Sequence, residues 1–335
     1  MLILSQSEVE RLLPMGECIE VMASTLAALA RGDAVLPLRT MILVPDSTDV
    51  FAVMPAYLGG GAPPTIGAKI ITYFPRNHGT QYDSHQGAVL LFDPETGSLA
   101  AILDATAVTT IRTAAVTAVA TRLLARADAS TLAIIGAGVQ GHVHVESLCA
   151  VRPIKRLQVW SRTRAHAERL AATAREKHGL DAAVAATAAD VCRGADIVCT
   201  TTSAREPVLM GEWLEPGTHV NAVGASHRTA REVDTRTVVR SRLYVDRRES
   251  ALKEPGDILV PLEEGEITPD HIVAEVGELL IGRGQGRRDD REITLFKSLG
   301  LAIEDLAAAS HAVDAARRRG VGVSIELGGA RHAAH

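Results

Sequence analysis

Aromatic residues are scarce in this 335-residue chain, at 3% of the total. With Ala abundant instead, the composition suggests helices packed closely against a sheet. An excess of positive charge is missing too: the net charge is −5, which argues against a general nucleic-acid or anionic-membrane binder and leaves room only for a local cationic pocket. Cysteine is limited to Cys18, Cys149, Cys192 and Cys199, with no C-x-x-C pair and no metal-ligand spacing. Free thiols in a reducing cytoplasm are the expectation. No long apolar run opens the chain, because Ser, Gln and Glu interrupt "MLILSQSEVERLLP" after four residues, so neither a signal peptide nor a membrane span is expected there. Repeats and low-complexity linkers are also missing.

What is present divides in two. The length exceeds that of a usual single domain and predicts two. Apolar residues recur at helical spacing from Ser5 to about Arg31, where Gly32-Asp33 ends the pattern, and predict one amphipathic helix. Five short apolar runs come next, "TMILVP", "VFAVMPAYL", "IGAKIITYFP", "HQGAVLLFD" and "GSLAAILD", and read as an antiparallel sheet with a hairpin turn at Asp93-Pro94-Glu95-Thr96-Gly97. Thr113 to Ala125 reads as a helix leading out of this region. Beyond it, strands "TLAIIGAG", "LQVWS", "DIVCTTT", "HVNAVGAS" and "RLYVD" alternate with helical stretches, which implies an α/β fold with a parallel sheet covered on both faces. "LFKSLGLAIEDLAAASHAVDAARRRG" reads as helix returning to the first domain, and "GGARHAAH" as a loose tail.

Gly136-Ala137-Gly138-Val139-Gln140-Gly141 fits G-x-G-x-x-G, between an apolar strand, Leu132 to Ile135, and a helix from about Val139 to Val151. In that context the glycines let the backbone approach a pyrophosphate at a helix N-terminus. An NAD site usually carries an acid at the end of the second strand, for the ribose 2′-hydroxyl. This chain has Ser161, Arg162 and Thr163 there, a set that attracts a 2′-phosphate. At roughly 1.5–3 kcal/mol per charge-assisted hydrogen bond, the preference is roughly tenfold to over a hundredfold. If Thr163 merely caps the next helix and Arg162 is solvated, the absent acid stays unexplained. The cofactor is therefore read as NADP(H). Thr202 and Ser203 follow a strand of the same sheet, at the end where such folds meet their ligand.

Three isolated cations are candidates: Lys69 sits mid-strand in "IGAKIITYF", Arg39 follows "VLPL", and Arg112 precedes the Ala-rich helix. Buried cations need anions, and together they suit a carboxylate substrate. By pattern alone, structural ion pairs or snorkelling side chains account for them equally well. His142 and His144 lie at i and i+2, on different helix faces, so no metal site is expected. The stretch Gly282 to Glu292 has glycines and arginines but mixed charge and no Gly-Lys-Ser/Thr ending, and reads as a solvated loop.

The ordered motifs "LPLRT", "VMPAY", "GAKIITYFP", "SHQGAVLLFD", "IRTAAVTAVAT", "IIGAGVQG", "VWSRTRAHAE", "GEWLEPGTHVNAVGAS", "ALKEPGD" and "LFKSLGLAIEDL" cover nearly the whole chain. The sequence they make up resembles the ornithine cyclodeaminase/mu-crystallin family. The resemblance implies a Rossmann-type NAD(P)-binding domain, residues 116–302, inserted into an α+β substrate and dimerisation domain, residues 1–115 with 303–330, and an active site in the cleft. It implies that Arg39, Lys69 and Arg112 hold the substrate carboxylate, that Arg112, Thr113, Val223 and Gly300 contact the cofactor, and that Glu254 lies near the substrate. His85 either approaches nicotinamide and substrate or is a hydrogen-bonded strand-end histidine. Glu254 can equally be a helix-end carboxylate. Cyclodeaminases of the family carry Asp after "VGG" or "VGA", where this chain has Ser226, whereas the mu-crystallin branch resembles it in reading "NAVGAS". The resemblance thus leads to the expectation of a homodimeric reductase, using NADPH on a C=N bond next to a carboxylate in a small imino-acid substrate such as pyrroline-2-carboxylate or piperideine-2-carboxylate. The alternatives are an amino-acid cyclodeaminase, an alanine-type dehydrogenase and a non-catalytic small-ligand binder.

Overall fold

The structure is a computed structural model and describes residues 1–60, 64–77 and 79–328. The tail from Gly329, expected to be loose, lies outside the described residues. In chain order the first elements are β1 (Leu2–Leu4), α1 (Gln6–Leu12), α2 (Met15–Arg31), β2 (Ala34–Val35), β3 (Thr40–Leu43), β4 (Val50–Leu58), β5 (Thr65–Tyr73), β6 (His85–Phe92), β7 (Leu99–Asp104) and α3 (Ala105–Leu124). Then come β8 (Thr131–Ile135), α4 (Val139–Val151), β9 (Arg156–Trp160), α5 (Arg164–His178), β10 (Asp181–Val184), α6 (Ala188–Cys192), β11 (Ile197–Thr200) and β12 (His219–Ala222). The remainder are α7 (Thr235–Arg240), β13 (Arg242–Val245), α8 (Arg248–Ala251), α9 (Gly256–Glu263), β14 (Ile272–Glu275), α10 (Val276–Leu280), β15 (Thr294–Lys297), α11 (Ala302–Arg319) and β16 (Val323–Ser324). The chain splits into two compact units, residues 1–112 with the chain from Leu301 onward, and Thr113–Gly300.

The first unit is built on a sheet in the order β16-β1-β7-β6-β5-β4-β2, with β3 also paired to β4. From β7 to β2 every pairing is antiparallel, as the alternating runs predict, while β1 lies parallel to β7. Asp93 closes the expected hairpin by accepting the Glu95 and Thr96 amides on Oδ1, each at 2.9 Å. Along β4, buried Ala52, Met54 and Ala56 alternate with exposed Phe51 and Tyr57, so one face of the sheet is dry. Helix α11 covers it, packing against β4, β5, β6 and α2. Lys69 shares that inward face with Gly67, two residues away on β5, and this period-of-two placement aims a cation at α11.

The second unit holds an all-parallel sheet in the order β10-β9-β8-β11-β12-β15-β13-β14. Leu132 and Ile134 join one apolar cluster with Leu157, Val159, Ile197 and Cys199, while Ala133 and Ile135 join another with Val198, Val220 and Leu295. Both faces are thus dry, which is why these strands read as continuous apolar runs.

Three expectations change. The N-terminal helix is two helices bent by 82° between Leu12 and Met15, because Pro14 cannot donate within a continuing helix. Helix α3 starts at Ala105, so Arg112 sits inside it rather than before it; the β-branched run Val108 to Ile111 disguised its first turns. Residues Leu295 to Lys297 form a buried strand, not helix, since a short fully apolar run carries no period to tell the two apart. The stretch Gly282 to Glu292 is a mostly exposed loop, as expected, in which Arg287 is a structural clamp: its guanidinium bonds the Leu124 carbonyl at 2.7 Å and the Thr294 hydroxyl at 3.0 Å. Among the described residues no single helix is long and apolar enough to cross a membrane.

Candidate active site

In the first unit, two of the three cations are drawn together by a carboxylate that carries no signal of its own in the sequence. Asp305, in the first turn of α11, accepts Arg112 Nε on Oδ1 at 2.8 Å. Its Oδ2 lies 2.9 Å from Lys69 Nζ, an ion pair by distance rather than a directed hydrogen bond. Arg112 Nη1 donates to Glu304 Oε2 at 2.8 Å, and Lys69 Nζ donates to Thr109 Oγ1 on α3 at 3.2 Å. All four charged side chains are at most 5% exposed. Charges so thoroughly desolvated persist only when paired. Burial pushes the Lys69 ammonium down to about 8, against the pull of Asp305, and the charges of Arg112 and Arg39 add to the depression. Burial works to raise the Asp305 carboxyl, yet Arg112 and Lys69 outweigh it and hold it below the ordinary range. Arg39, half-buried ahead of β3, thus acts electrostatically on Lys69. Lys69 has three N–H groups, and among the described residues two of them face protein oxygens. His85, exposed at the start of β6, stacks on Tyr73 with ring centroids 4.4 Å apart, and its carbonyl accepts the Thr106 hydroxyl.

In the second unit, the three glycines of the turn after β8 play separate parts. Gly136 has φ 107°, and a Cβ there would fall 2.7 Å from the Thr201 carbonyl. A Cβ on Gly141 would fall 2.4 Å from the Gly136 carbonyl, so only glycine lets α4 start this close to the strand. Gly138, the N-cap of α4, is exposed and has nothing within 4 Å of its Cβ position. A tight turn, a close helix and an open backbone at a helix N-terminus fit a pyrophosphate. Val139 and Gln140 begin the helix, and Val139 is exposed.

The next parallel strand brings up the neighbouring turn. Ile135 pairs with Trp160, and the Gly136 amide bonds the Trp160 carbonyl at 2.9 Å, so Ser161, Arg162 and Thr163 stand beside the glycine turn. Ser161 is half-buried, Arg162 and Thr163 are exposed, and the Thr163 side chain makes no capping bond although it occupies the N-cap of α5. The carboxylate nearest along α5, Glu168, pairs with Arg164 at 2.8 Å instead.

Strand ends β11 and β12 are tied by Glu232, buried and likewise without a signal in the sequence. It accepts the Thr200 hydroxyl, the Thr202 amide and hydroxyl, and the Gly224 amide, at 2.6–2.9 Å. Thr202 therefore turns its polar groups to Glu232, and Ser203 is the exposed member of that pair. Val223 is buried, with its amide on the Thr200 carbonyl, and Ser226 is half-buried in the loop after β12. Gly300, φ 77°, donates its amide to Asp246 at 2.8 Å. Thr113 is buried within α3, and Glu254 is half-buried just beyond α8. His144 is fully buried, its nitrogens at the Gln140 carbonyl and the Thr117 hydroxyl, and burial takes it down to about 4. Burial also drives Cys18 and Cys192 up to about 12 and Cys149 to about 11, and all four cysteines are free.

A doubly wound domain with a glycine-rich dinucleotide turn, inserted in sequence into an α+β unit that buries two paired cations, defines a class of nicotinamide-binding proteins. The chain belongs to the ornithine cyclodeaminase/mu-crystallin family, whose model matches residues 1–320. A mouse relative named ketimine reductase mu-crystallin is 41% identical over 283 residues, 84% of this chain and 86% of its own. A delta(1)-pyrroline-2-carboxylate reductase of Bacillus cereus is 36% identical over 98% of this chain and 100% of its own. The solved structure of Thermococcus litoralis delta(1)-pyrroline-2-carboxylate reductase, in complex with NADH and L-proline, superposes with a TM-score of 0.94 at 40% identity, covering 97% of this chain and 100% of that one.

Proposed function

We propose that this protein is an NADPH-preferring reductase of cyclic ketimines that carry a carboxylate next to the C=N bond, such as pyrroline-2-carboxylate or piperideine-2-carboxylate. The observation that carries the reading is the buried Lys69–Asp305–Arg112 arrangement, with one Lys69 N–H turned to no protein oxygen among the described residues. Lys69, Arg112 and Arg39 then bind the substrate carboxylate and orient the adjacent imine carbon. When bound, the reduced nicotinamide supplies a hydride to that carbon and leaves oxidised. The imine nitrogen ends with a proton, and an ammonium pushed down to about 8 is suited to supply one near neutral pH. Ser226, in place of a family acid, provides no carboxylate for the amine chemistry of a cyclodeaminase. Ser161, Arg162 and Thr163 receive the 2′-phosphate. The related reductases support the imine chemistry, and the absence of an acid at that turn supports the 2′-phosphate.

The working protein is proposed to be a homodimer. All four residues of β3 are exposed, and Val35, Ile42, Leu43, Phe51 and Tyr57 give this edge an apolar surface, on which a second copy would pack. The four free cysteines suit a reducing cytoplasm.

The test is to follow nicotinamide absorbance with NADPH and NADH in parallel, against freshly prepared cyclic ketimines, pyruvate with ammonia or methylamine, and ornithine. Oxidation of NADPH by a cyclic ketimine is expected. Ammonia release from ornithine with no imine reduced would overturn the assignment in favour of a lyase.

A further inference from the structure

We propose that Asp305 is a positioning residue, a single carboxylate that pins the Lys69 and Arg112 head groups side by side and holds the proton on Lys69. The proposal rests on the reading of those two cations as the substrate-carboxylate site. Each Asp305 oxygen serves a different cation, Oδ1 at 2.8 Å from Arg112 Nε and Oδ2 at 2.9 Å from Lys69 Nζ. Helix α11 therefore sets the separation of two side chains that arise from β5 and α3. Glu304, its neighbour in sequence, acts elsewhere. It holds Arg112 Nη1 and accepts the Leu301 amide at 3.0 Å, closing the start of the helix. Adjacent buried acids thus have separable functions.

The surroundings of Lys69 show why one carboxylate matters so much. Arg39 approaches from the segment before β3, and Arg112 and Thr109 come from α3. Strands β4 and β6 present Met54 and Val89 opposite Lys69. Helix α11 supplies Asp305, with Glu304 beyond it on Arg112. Behind α11, on α2, the Cys18 thiol is driven up to about 12 and is uncharged. Among the described residues, Asp305 is the anion in contact with Lys69 while two cations act against it. Neutralising Asp305 leaves Lys69 facing positive charge alone, so its proton leaves at lower pH and its grip on a carboxylate goes with it.

The experiment measures the affinity of the holoprotein, saturated with NADP+, for L-proline by calorimetry between pH 6 and pH 9.5, in the wild type and in Asp305→Asn, Glu304→Gln and Asp305→Glu. NADPH fluorescence and thermal melting report whether each variant is folded. Wild-type affinity is expected to fall above about pH 8. In Asp305→Asn the fall moves to lower pH by about one unit, making binding near neutrality about tenfold weaker. Glu304→Gln keeps the wild-type midpoint at whatever affinity it retains, and Asp305→Glu keeps that midpoint with weakened affinity, because the charge survives and the spacing does not. Should Asp305→Asn fail to fold, Asp305→Glu decides: wild-type affinity in that variant overturns the positioning role. A folded Asp305→Asn with the wild-type midpoint, or an equal displacement in Glu304→Gln, also overturns it. If the wild type binds L-proline with this pH dependence yet no imine oxidises NADPH, the reductase reading fails and the positioning role of Asp305 stands. If the wild type binds no L-proline, the carboxylate site and the proposal fall together.

Discussion

Replacing Arg162 by Asp should exchange the cofactor preference of this protein without disturbing its fold. The side chain is exposed on the turn between β9 and α5, beside the glycine turn of β8. An exposed surface change of this kind alters stability by about 0.5 kcal/mol or less. Losing one charge-assisted hydrogen bond to the 2′-phosphate costs about 1.5–3 kcal/mol, and at about 1.4 kcal/mol per decade this weakens NADPH roughly tenfold to somewhat over a hundredfold. The new carboxylate also repels the phosphate and accepts from the ribose hydroxyls of NADH, so the ratio of the two dissociation constants moves further than the NADPH constant alone. Fluorescence titration with both cofactors reads that ratio directly. Repeating it at low and high salt supplies a second check, because the Debye length shrinks from about 10 Å at 0.1 M to about 3 Å at 1 M and the wild-type preference should shrink with it. A ratio unchanged by the substitution, in a variant that still melts like the wild type, would refute the assignment of the turn.

Gly141→Ala sets a methyl against the Gly136 carbonyl at 2.4 Å; the helix must withdraw, at about 1–3 kcal/mol, and both thermal stability and NADPH affinity are expected to drop, whereas unchanged cofactor binding contradicts the proposed glycine roles. Lys69→Met and Arg112→Leu should both weaken binding of L-proline, and Lys69→Met should leave NADPH binding largely intact. They should differ in stability: Arg112→Leu strips Glu304 of its cation at a cost of about 3–5 kcal/mol, while Lys69→Met leaves Asp305 on Arg112, so calorimetric melting should rank Arg112→Leu below Lys69→Met. Ile42→Glu places a charge on the apolar β3 surface and should convert the proposed dimer to a monomer by sedimentation; a dimer that persists at low micromolar concentration places the interface elsewhere.

Much of the architecture is legible in the residues because its signals are local. The period of two in "VFAVMPAYL", the Asp93 to Gly97 turn and the three spaced glycines each act over a few residues, and strands buried on both faces announce themselves as unbroken apolar runs. Where a segment is apolar throughout, the period vanishes: Leu295 to Lys297 reads like helix, and the first turns of α3, rich in β-branched residues, fall outside the helix read from Thr113. Pro14 is in plain view, but its effect depends on whether the preceding helix continues, and packing decides that.

The amino acids alone determined the doubly wound nucleotide unit, the missing acid at Ser161 to Thr163, and the identity of Arg39, Lys69 and Arg112 as cations needing an anion. Only the folded chain decided which anion. Glu304 and Asp305 stand within a stretch that reads as one long helix from Leu295, and nothing in the sequence singles out Glu232. Their partners on β5, α3 and β11 lie 32 residues away or more along the chain. Coulomb attraction depends on distance through space and on the absence of water between the charges, and neither is written in a linear order of residues.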